Sequence, residues 1–267
     1  MTVSGWIARL RRHDWLAVGI ELVVVVLGIL IALQVGDWNQ ARLDRARAQA
    51  YYARIHDELL ADRSHMDTTL AFWNKVSAYG QAAVAHGETG TLVDGSEWKT
   101  LLAYYQASQT MPFVETDSAY TEMRSAGELG LIADQHLRAR LANYYSLSGI
   151  GGQSIIHEQD PPYRGEVRGM TPWPVQQYIW SHCFRESSYL TQDFVDCTPP
   201  IDAAKAGAIL ARYRQAPALL DHLRFWMSQL RISSIVLGNG RNDAEALAVA
   251  VAVARQGDLP KNAVPSP

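Results

Sequence analysis

The sequence predicts an all-α fold in which an N-terminal transmembrane helix continues into a long juxtamembrane helix and a helical bundle. An apolar run occupies residues 15–33. Neither Pro nor Gly interrupts the chain between Gly36 and Gly80, where apolar residues recur at helical spacing. Hardly any later segment alternates apolar and polar residues as a half-buried strand does. Helices rather than a sheet are therefore expected to build the core.

The apolar run is long enough to cross a bilayer. Its 19 positions include one charged residue, Glu21, and at about 1.5 Å per residue they match a hydrocarbon core of roughly 30 Å. Thirteen Leu, Ile and Val residues lie between Leu16 and Leu33. Each contributes roughly −0.3 to −0.6 kcal/mol to insertion, which together outweighs a penalty of about +3 kcal/mol for a central charge. We predict a transmembrane helix at residues 15–35 and a cytoplasmic N-terminus at residues 1–14. The lipid bilayer is thus one predicted partner of the chain.

One face of the predicted transmembrane helix combines a carboxyl group with small residues. Glu21, Gly28 and Ala32 fall within about 20° of one another on a helix that turns 100° per residue. Small residues four apart let two helix backbones approach closely, and a protonated Glu21 can donate a hydrogen bond across such a contact. We predict that this face binds another membrane protein or a second copy of the chain. The alternative is a lone anchor with Glu21 near a water defect.

The charges around the apolar run predict its orientation. Three arginines precede it, at positions 9, 11 and 12, and the first charge after it is Asp37. This asymmetry places the N-terminus in the cytoplasm, although three further arginines follow at positions 42, 45 and 47. The run is longer than the apolar region of about 15 residues in a signal peptide, and residues 32–36 lack a clear small-x-small cleavage site. We therefore expect an uncleaved anchor and a domain outside the cytoplasm.

The two cysteines of the chain, Cys183 and Cys197, are a candidate disulfide. An even number of cysteines suits an oxidising compartment. In the chain-entropy model, closing a loop of about 15 residues stabilises the fold by about 3 kcal/mol. Two unrelated buried thiols are the alternative. A metal site is not expected, because His182 beside Cys183 has no second closely spaced pair of Cys or His residues.

Residues 19–39 resemble the N-terminal anchor of a family of bacterial single-pass membrane proteins of unknown function. The signature consists of Glu21, a Val-rich run, the sequence GILIALQ at residues 28–34, and Asp37-Trp38-Asn39. The chain departs from it at Gln40, where the family often has Glu. A weaker resemblance to a helical hairpin of the family covers residues 119–145. The resemblance spans about a fifth of the chain and implies a place in the bacterial inner membrane, with the C-terminal domain in the periplasm. It transfers no catalytic residue.

The segment at residues 36–86 predicts one long juxtamembrane helix. If this helix is continuous with the transmembrane helix, it reaches roughly 60 Å from the membrane at about 1.5 Å per residue. Its apolar stripe must be covered by other protein, either by the helical domain of the same chain or by a parallel coiled coil between two chains; packing within one chain is the prediction. The stripe consists of Tyr52, Ile55, Leu59, Met66, Leu70, Trp73 and Val76.

The sequence predicts an extracytoplasmic helical domain at residues 87–256. More than 200 residues follow the anchor, which is enough for one sizeable core or two small ones. Asp117 and Asp134 are expected to cap two helices of a hairpin, and the Gly- and Pro-rich stretch at 146–174 is expected to be an irregular loop. The other helices are predicted at residues 97–108, 175–187, 202–213, 218–237 and 243–254, with a turn at 238–241 and a disordered tail at 257–267.

No local pattern predicts a catalytic residue, a cofactor or a metal site. The sequence has no phosphate-binding loop and no nucleophile elbow, and a net charge of −3 gives no basic stripe for nucleic acid. His157, Glu158 and Asp160 are ligand types, but Pro161 stands where a zinc-protease helix needs its second His. We interpret them as a solvated loop, with a site as the alternative. His56, Asp57, Glu58, His65 and Asp67 are interpreted as a solvated helix face.

Two classes of function remain. The first is a membrane-anchored scaffold or accessory subunit that binds another envelope protein through its transmembrane face and helical domain. The second is an extracytoplasmic sensor or ligand-binding domain, with the loop at 146–174 closing over a small molecule. An enzyme ranks third. Its active site would have to be built from residues that no local motif reveals. Tyr104, Tyr105, Tyr144, Tyr145 and Trp226 are aromatic enough to line a pocket, although such residues more often form core.

Overall fold

The computed structural model of this chain describes residues 14–146, 161–188 and 191–257. Its helices are α1 (Asp14–Thr89), α2 (Glu97–Gln106), α3 (Ser118–Ser125), α4 (Gln135–Tyr144), α5 (Pro162–Met170), α6 (Trp173–His182), α7 (Ala203–Arg214) and α8 (Pro217–Gly257). Two short 3-10 helices lie at Val93–Gly95 and Leu129–Leu131, and two strands, β1 (Phe184–Ser188) and β2 (Thr191–Phe194), form one hairpin. The predicted all-α fold is confirmed. Residues 1–13 of the predicted cytoplasmic segment and residues 258–267 of the predicted tail lie outside the described residues.

The chain divides into two compact units, residues 1–50 with 260–267, and residues 51–259. In the first unit, the structure describes the start of α1. Its most apolar 18-residue stretch has a mean hydropathy of 2.4, and none of its residues is buried. By length and composition, α1 is the one helix among the described residues that can cross a membrane, which is compatible with membrane anchoring.

In the second unit, the part of α1 from Tyr51 onward forms the centre of the core. The predicted apolar positions Tyr52, Ile55, Leu59, Met66, Trp73 and Val76 are each at most 2% exposed, while Leu70 is half-buried. These side chains are covered by other elements of the same chain. Packing within one chain is therefore confirmed for this stripe, and a coiled coil between two chains along it is wrong.

Helix α8 runs antiparallel to this part of α1. Arg241 donates to Asp67 at 3.1 Å and Arg224 donates to Glu88 at 2.7 Å. Residues later in α1 therefore contact residues earlier in α8. Between these ion pairs, Gly80 allows a close approach, because a Cβ atom there would lie 2.1 Å from the Sδ atom of Met227. Helix α8 also packs against α4, α5 and α7, and α2 packs against α5 and α7.

The predicted turn at 238–241 is wrong, because α8 continues through it without a break. Leu237, Gly240 and Ala244 are all buried and keep the 3-4 spacing of the core face. A helical Gly costs about 1 kcal/mol relative to Ala, whereas burying one Leu side chain stabilises by roughly 2 kcal/mol. Packing against the core therefore outweighs the two glycines.

The predicted irregular loop at 146–174 is wrong in its second half; residues 147–160 lie outside the described part of the chain. Helix α5 begins at Pro162, in the first helical turn, where a proline loses no hydrogen bond. Tyr163 and Val167, four residues apart, are both fully buried. Gly165 and Gly169 lie on the exposed side, so they lower helix propensity without opening the core.

The helix predicted at 175–187 is also too long, because α6 ends at His182 and β1 follows. Strands β1 and β2 are antiparallel, with Phe184 opposite Phe194. The ring of Phe194 stacks on Phe72 with a centroid distance of 4.9 Å and meets the edge of Tyr79 at 5.1 Å. These contacts with α1 hold a hairpin that is too short to show a clear strand pattern.

One of the two predicted helix caps is present, and Asp202 caps α7 in addition. Asp134 accepts from the backbone N–H groups of His136 and Leu137 at 2.8 and 3.2 Å. Asp202 accepts from the N–H of Lys205 at 2.8 Å. Asp117 precedes α3 as predicted, but its side chain accepts from the hydroxyl of Thr121 instead of a backbone N–H.

Candidate functional site

The predicted transmembrane face lies on the exposed surface of α1. Glu21, Gly28 and Ala32 follow one another on continuous helical turns and are all exposed. A Cβ atom built at Gly28 would meet nothing within 4 Å. The face is thus open to a second helix, and the contact itself stays a prediction.

The predicted cysteine pair is brought together at the start of the hairpin. Cys183 and Cys197 form a disulfide with their Cα atoms 5.1 Å apart. The backbone carbonyl of Cys183 accepts from the N–H of Val195 at 3.0 Å and from Nε2 of the buried Gln106 at 3.1 Å. The disulfide therefore joins the hairpin to the end of α6, and Gln106 joins that junction to α2.

A buried carboxyl group lies in the apolar stripe of α1. Asp62 is 1% exposed. It accepts from the backbone N–H of Thr116 at 2.8 Å and from the hydroxyl of Tyr144 at 2.9 Å. Burial raises the pKa of Asp62 to about 6, although both hydrogen bonds favour the charged form and oppose the shift. Asp62 thereby links α1 to α4 and to the segment before α3.

A group of packed tyrosine rings includes Tyr144, the hydrogen-bond donor to this carboxyl group. Tyr144 and Tyr145 meet edge to face at 4.9 Å, and Tyr120 stacks on Tyr145 at 4.6 Å. Burial, followed by the charge of Asp62, raises the pKa of both Tyr144 and Tyr145, so their hydroxyl groups stay protonated. The hydroxyl of Tyr145 is buried and has no hydrogen-bond partner among the residues that the structure describes.

Further carboxylates lie around the same cluster. Glu58 accepts from the backbone N–H of Ala119 at 3.0 Å and from the hydroxyl of Ser118, so it caps the start of α3 from another helix. Burial and the charges of Asp117 and Asp62 raise the pKa of Glu115. We refer to Asp62, Glu58, Glu115, Tyr144 and Tyr145 as the acidic cluster.

The solvated face predicted on α1 is correct for some residues and wrong for others. Asp57 is exposed, and Asp67 pairs with Arg241 at the surface. Glu58 is instead the cap just described. The ring of His65 lies 5.1 Å from that of Phe113, and burial lowers the pKa of His65, which favours the neutral imidazole. His56 lies 3.2 Å from Asp57.

An open cavity of about 320 Å³ lies between α4 and α8. Its lining mixes polar and apolar side chains, and Tyr144 is the member of the acidic cluster that lines it. Arg140 and His136 provide donors, and Asp243 provides an acceptor. Such a lining suits a small polar molecule. The full lining is His136, Ala139, Arg140, Asn143, Tyr144, Asp243 and Leu247.

Other residues singled out in the sequence belong to the core or cannot be placed. Tyr104, Tyr105 and Trp226 are buried, and the indole N–H of Trp226 donates to the carbonyl of Ala107 at 2.8 Å. His157, Glu158 and Asp160 lie outside the described residues. Within residues 14–146, 161–188 and 191–257, no group of three or more His, Cys, Asp or Glu side chains is arranged to hold a metal ion.

Sequence reasoning missed Asp62 and Arg168. Asp62 falls between Leu59 and Met66 in the repeating buried positions of α1, and this placement is the signal that identifies it. Arg168 lies over the rings of Tyr105 and Trp180, 5.3 and 5.2 Å from their centroids. It also donates to Ser108 and Gln109 at the end of α2. No local pattern marks Arg168, because Tyr105, Ser108 and Gln109 precede it by about 60 residues.

The chain matches no protein-family model, no curated protein and no solved structure. The likeness of its anchor to a family of membrane proteins accordingly stays a resemblance of short segments.

Proposed function

We propose that the protein is a single-pass scaffold or accessory subunit of the bacterial inner membrane that binds another envelope protein. The observation that carries this proposal is the exposed apolar part of α1, which combines a mean hydropathy of 2.4 with the face formed by Glu21, Gly28 and Ala32. A lipid-facing helix needs neither a carboxyl group nor a row of small residues. A helix that binds a second helix uses both.

The helical domain supports the same proposal through its construction. Hydrogen bonds of the acidic cluster join α1, α3 and α4. Arg168 donates a hydrogen bond to Ser108, just after the end of α2. The disulfide fixes the hairpin against α6. These features stiffen a domain, as a binding platform requires. A disulfide also suits the periplasm, which agrees with a cytoplasmic N-terminus.

Affinity purification from native membranes tests the proposal. Gly28→Leu places a bulky side chain on the proposed face, whereas Gly19→Leu makes the same change about 160° away on the helix. Both glycines are exposed with nothing within 4 Å of a Cβ position. We expect a stoichiometric membrane protein to co-purify with the wild type and with Gly19→Leu and to be lost with Gly28→Leu. Equal recovery from both variants would contradict a role of this face.

The cavity between α4 and α8 supports a second candidate function, the binding of a small polar molecule. Ala139 lines the cavity, and Ala142 is an exposed neighbour on α4 that does not. For a ligand-binding domain, mass spectrometry of the purified full chain should find a small molecule with the wild type and with Ala142→Trp. Ala139→Trp should lose it, because the indole fills the cavity. Purification of every form without a ligand would contradict this candidate.

A further inference from the structure

Helix α8 carries an exposed apolar stripe on the side opposite to its core face. Phe225, Ile232, Ile235, Val249 and Val253 are each 52–64% exposed. They belong to a longer row in which every third or fourth residue from Phe225 to Val253 is exposed. We name this row of nine exposed residues the α8 seam. Six of its nine residues are apolar, and the other three, Ser228, Asn239 and Asn242, are polar. An exposed row with this share of apolar residues marks an interaction surface, because a solvent-facing helix side is normally polar.

The spacing of the α8 seam is that of a coiled coil. Its residues alternate steps of three and four over four heptads without a slip, which gives a repeat of 3.5 residues. A straight helix drifts by about 20° per heptad relative to this repeat. The row therefore stays in contact over its whole length only with a second helix that coils around α8.

The polar residues of the α8 seam favour pairing of like with like. Asn239 occupies the heptad position that Phe225 and Ile232 occupy in the preceding heptads, at the centre of the row. A central Asn at this position specifies register in two-stranded parallel coiled coils, because the two amides hydrogen-bond to each other. An antiparallel pairing that joins Arg231 to Glu245 would instead place Asn239 against Ile235, where burial of its amide lacks a partner.

The charges that flank the α8 seam fit the parallel arrangement. In a parallel pair, the residue directly before Phe225, and the equivalent residue in each later heptad, faces the residue five positions later in the other chain. Arg224 then faces Gln229, Arg231 faces Val236, and Glu245 faces Ala250. No like charges meet at these positions, so electrostatic repulsion does not oppose the pairing.

We infer that the α8 seam binds the same seam of a second copy of this chain in a parallel, in-register dimer. This inference rests on the membrane anchoring in the proposed function, because two copies anchored in one bilayer with the same orientation are held close together. The contact strip is about 42 Å long and about 10 Å wide, or roughly 400 Å² per chain. That area is about half of what a standard stable interface buries. Confinement to one bilayer raises the effective concentration of the two copies, which compensates for the small contact area.

Cross-linking of the full chain in native membranes tests the dimer. Ser228→Cys and Ala246→Cys each place one thiol in the α8 seam at an exposed small residue, while both native cysteines are held in the disulfide. A short bis-maleimide joins two thiols by adding each across a maleimide double bond. We expect each variant alone to give a covalent dimer, because equivalent residues face each other in a parallel pair. Ala211→Cys, exposed on α7, is the matched control and should remain monomeric.

Several results would overturn the inference. Monomers from both seam variants would do so, as would equal cross-linking of Ala211→Cys. Cross-linking only when Ser228→Cys and Ala246→Cys are expressed together would show an antiparallel pair. Addition of Ile235→Glu to Ser228→Cys should lower the dimer yield about tenfold, since it opposes two carboxylates in the seam. This readout is independent of the Gly28→Leu capture experiment, so failure of either proposal is recognised separately.

Discussion

Asp62 occupies a position of α1 at which the helix otherwise buries apolar side chains. A buried, ionised carboxylate loses the hydration that it has in water, and two hydrogen bonds from Thr116 and Tyr144 recover part of that loss. The remainder appears as the pKa of about 6. The carboxyl group thus fixes how three segments meet, at a cost in stability near neutral pH.

The titration of Asp62 predicts a pH dependence of folding. Because its pKa is raised in the folded state to about 6, its contribution to the free energy of unfolding is fully present below pH 4 and is lost as the pH rises through 6. Asp62→Asn removes this titration. We expect the variant to gain stability relative to the wild type as the pH rises from about 4 to about 7, by about 3 kcal/mol at most.

Urea denaturation followed by tryptophan fluorescence at several pH values measures this difference. Carboxylates with a lowered pKa, such as Asp193 and Asp202, have the opposite effect: their contribution to the free energy of unfolding is lost as the pH falls. They are common to both proteins, so the comparison with Asp62→Asn isolates the buried group. Parallel stability curves for the two proteins would contradict the assigned role of Asp62.

At the scale of elements, the contact between α1 and α8 depends on a glycine. Gly80 in α1 faces Met227, whereas a Cβ atom at Gly238 in α8 meets nothing within 4 Å. We expect Gly238→Ala to raise the free energy of unfolding by about 0.5–1 kcal/mol through helix propensity. Gly80→Ala should lower it by about 1–3 kcal/mol through overpacking.

Chemical denaturation of the two variants checks this contrast, and a double-mutant cycle with Met227→Ala identifies the cause. Gly80→Ala should be less harmful when Met227 has been shortened, because the clash is with the thioether. The contact would be disproved if Gly80→Ala and Gly238→Ala stabilised the chain equally.

The hairpin depends on its disulfide. Replacing both Cys183 and Cys197 with Ala should lower the free energy of unfolding by about 3 kcal/mol, because the unfolded chain regains the freedom of a loop of about 15 residues. Urea denaturation of the double variant and of the oxidised wild type measures the difference. The reduced wild type serves as the control and should match the variant; a double variant as stable as the oxidised protein would refute the prediction.

Helix existence could be read from the sequence more reliably than helix ends. The long stripe of α1 and the cap Asp134 are local signals, and the structure contains them. Helix α8 crosses Gly238 and Gly240 because distant core residues cover its inner face. The strands β1 and β2 exist because Phe194 finds Phe72 on another element. Long-range packing of this kind leaves no local pattern.

The candidate site was partly predictable for the same reason. Glu21, Gly28 and Ala32 share a face through helix geometry alone, and an even number of cysteines predicts a pair. The acidic cluster joins Asp62 to Thr116 and Tyr144 across 54 and 82 residues. Only the position of a carboxyl group inside an apolar repeat hinted at it.

At the scale of the whole molecule, the proposed topology places the two ends of the anchor in different compartments. Lys205→Cys provides a thiol at a side chain that is 71% exposed, and Ser4→Cys provides one in the predicted cytoplasmic segment. In cells with a permeabilised outer membrane, we expect an impermeant maleimide to label Lys205→Cys alone. Labelling of Ser4→Cys alone would reverse the orientation. The wild type, with its cysteines in a disulfide, is the background control.

The antiparallel pairing of α1 with α8 also has a consequence for biosynthesis. The buried stripe of α1 is made early, while Leu223, Leu230 and Leu237 of α8 are among the last core residues to be made. At about 5–20 residues per second, the ribosome needs roughly 10–30 s to extend the chain from the end of α1 to the end of α8. During that time the part of α1 around Gly80 lacks Met227, the α8 residue that it faces. The core that α1 and α8 form together is therefore complete only when synthesis is almost finished.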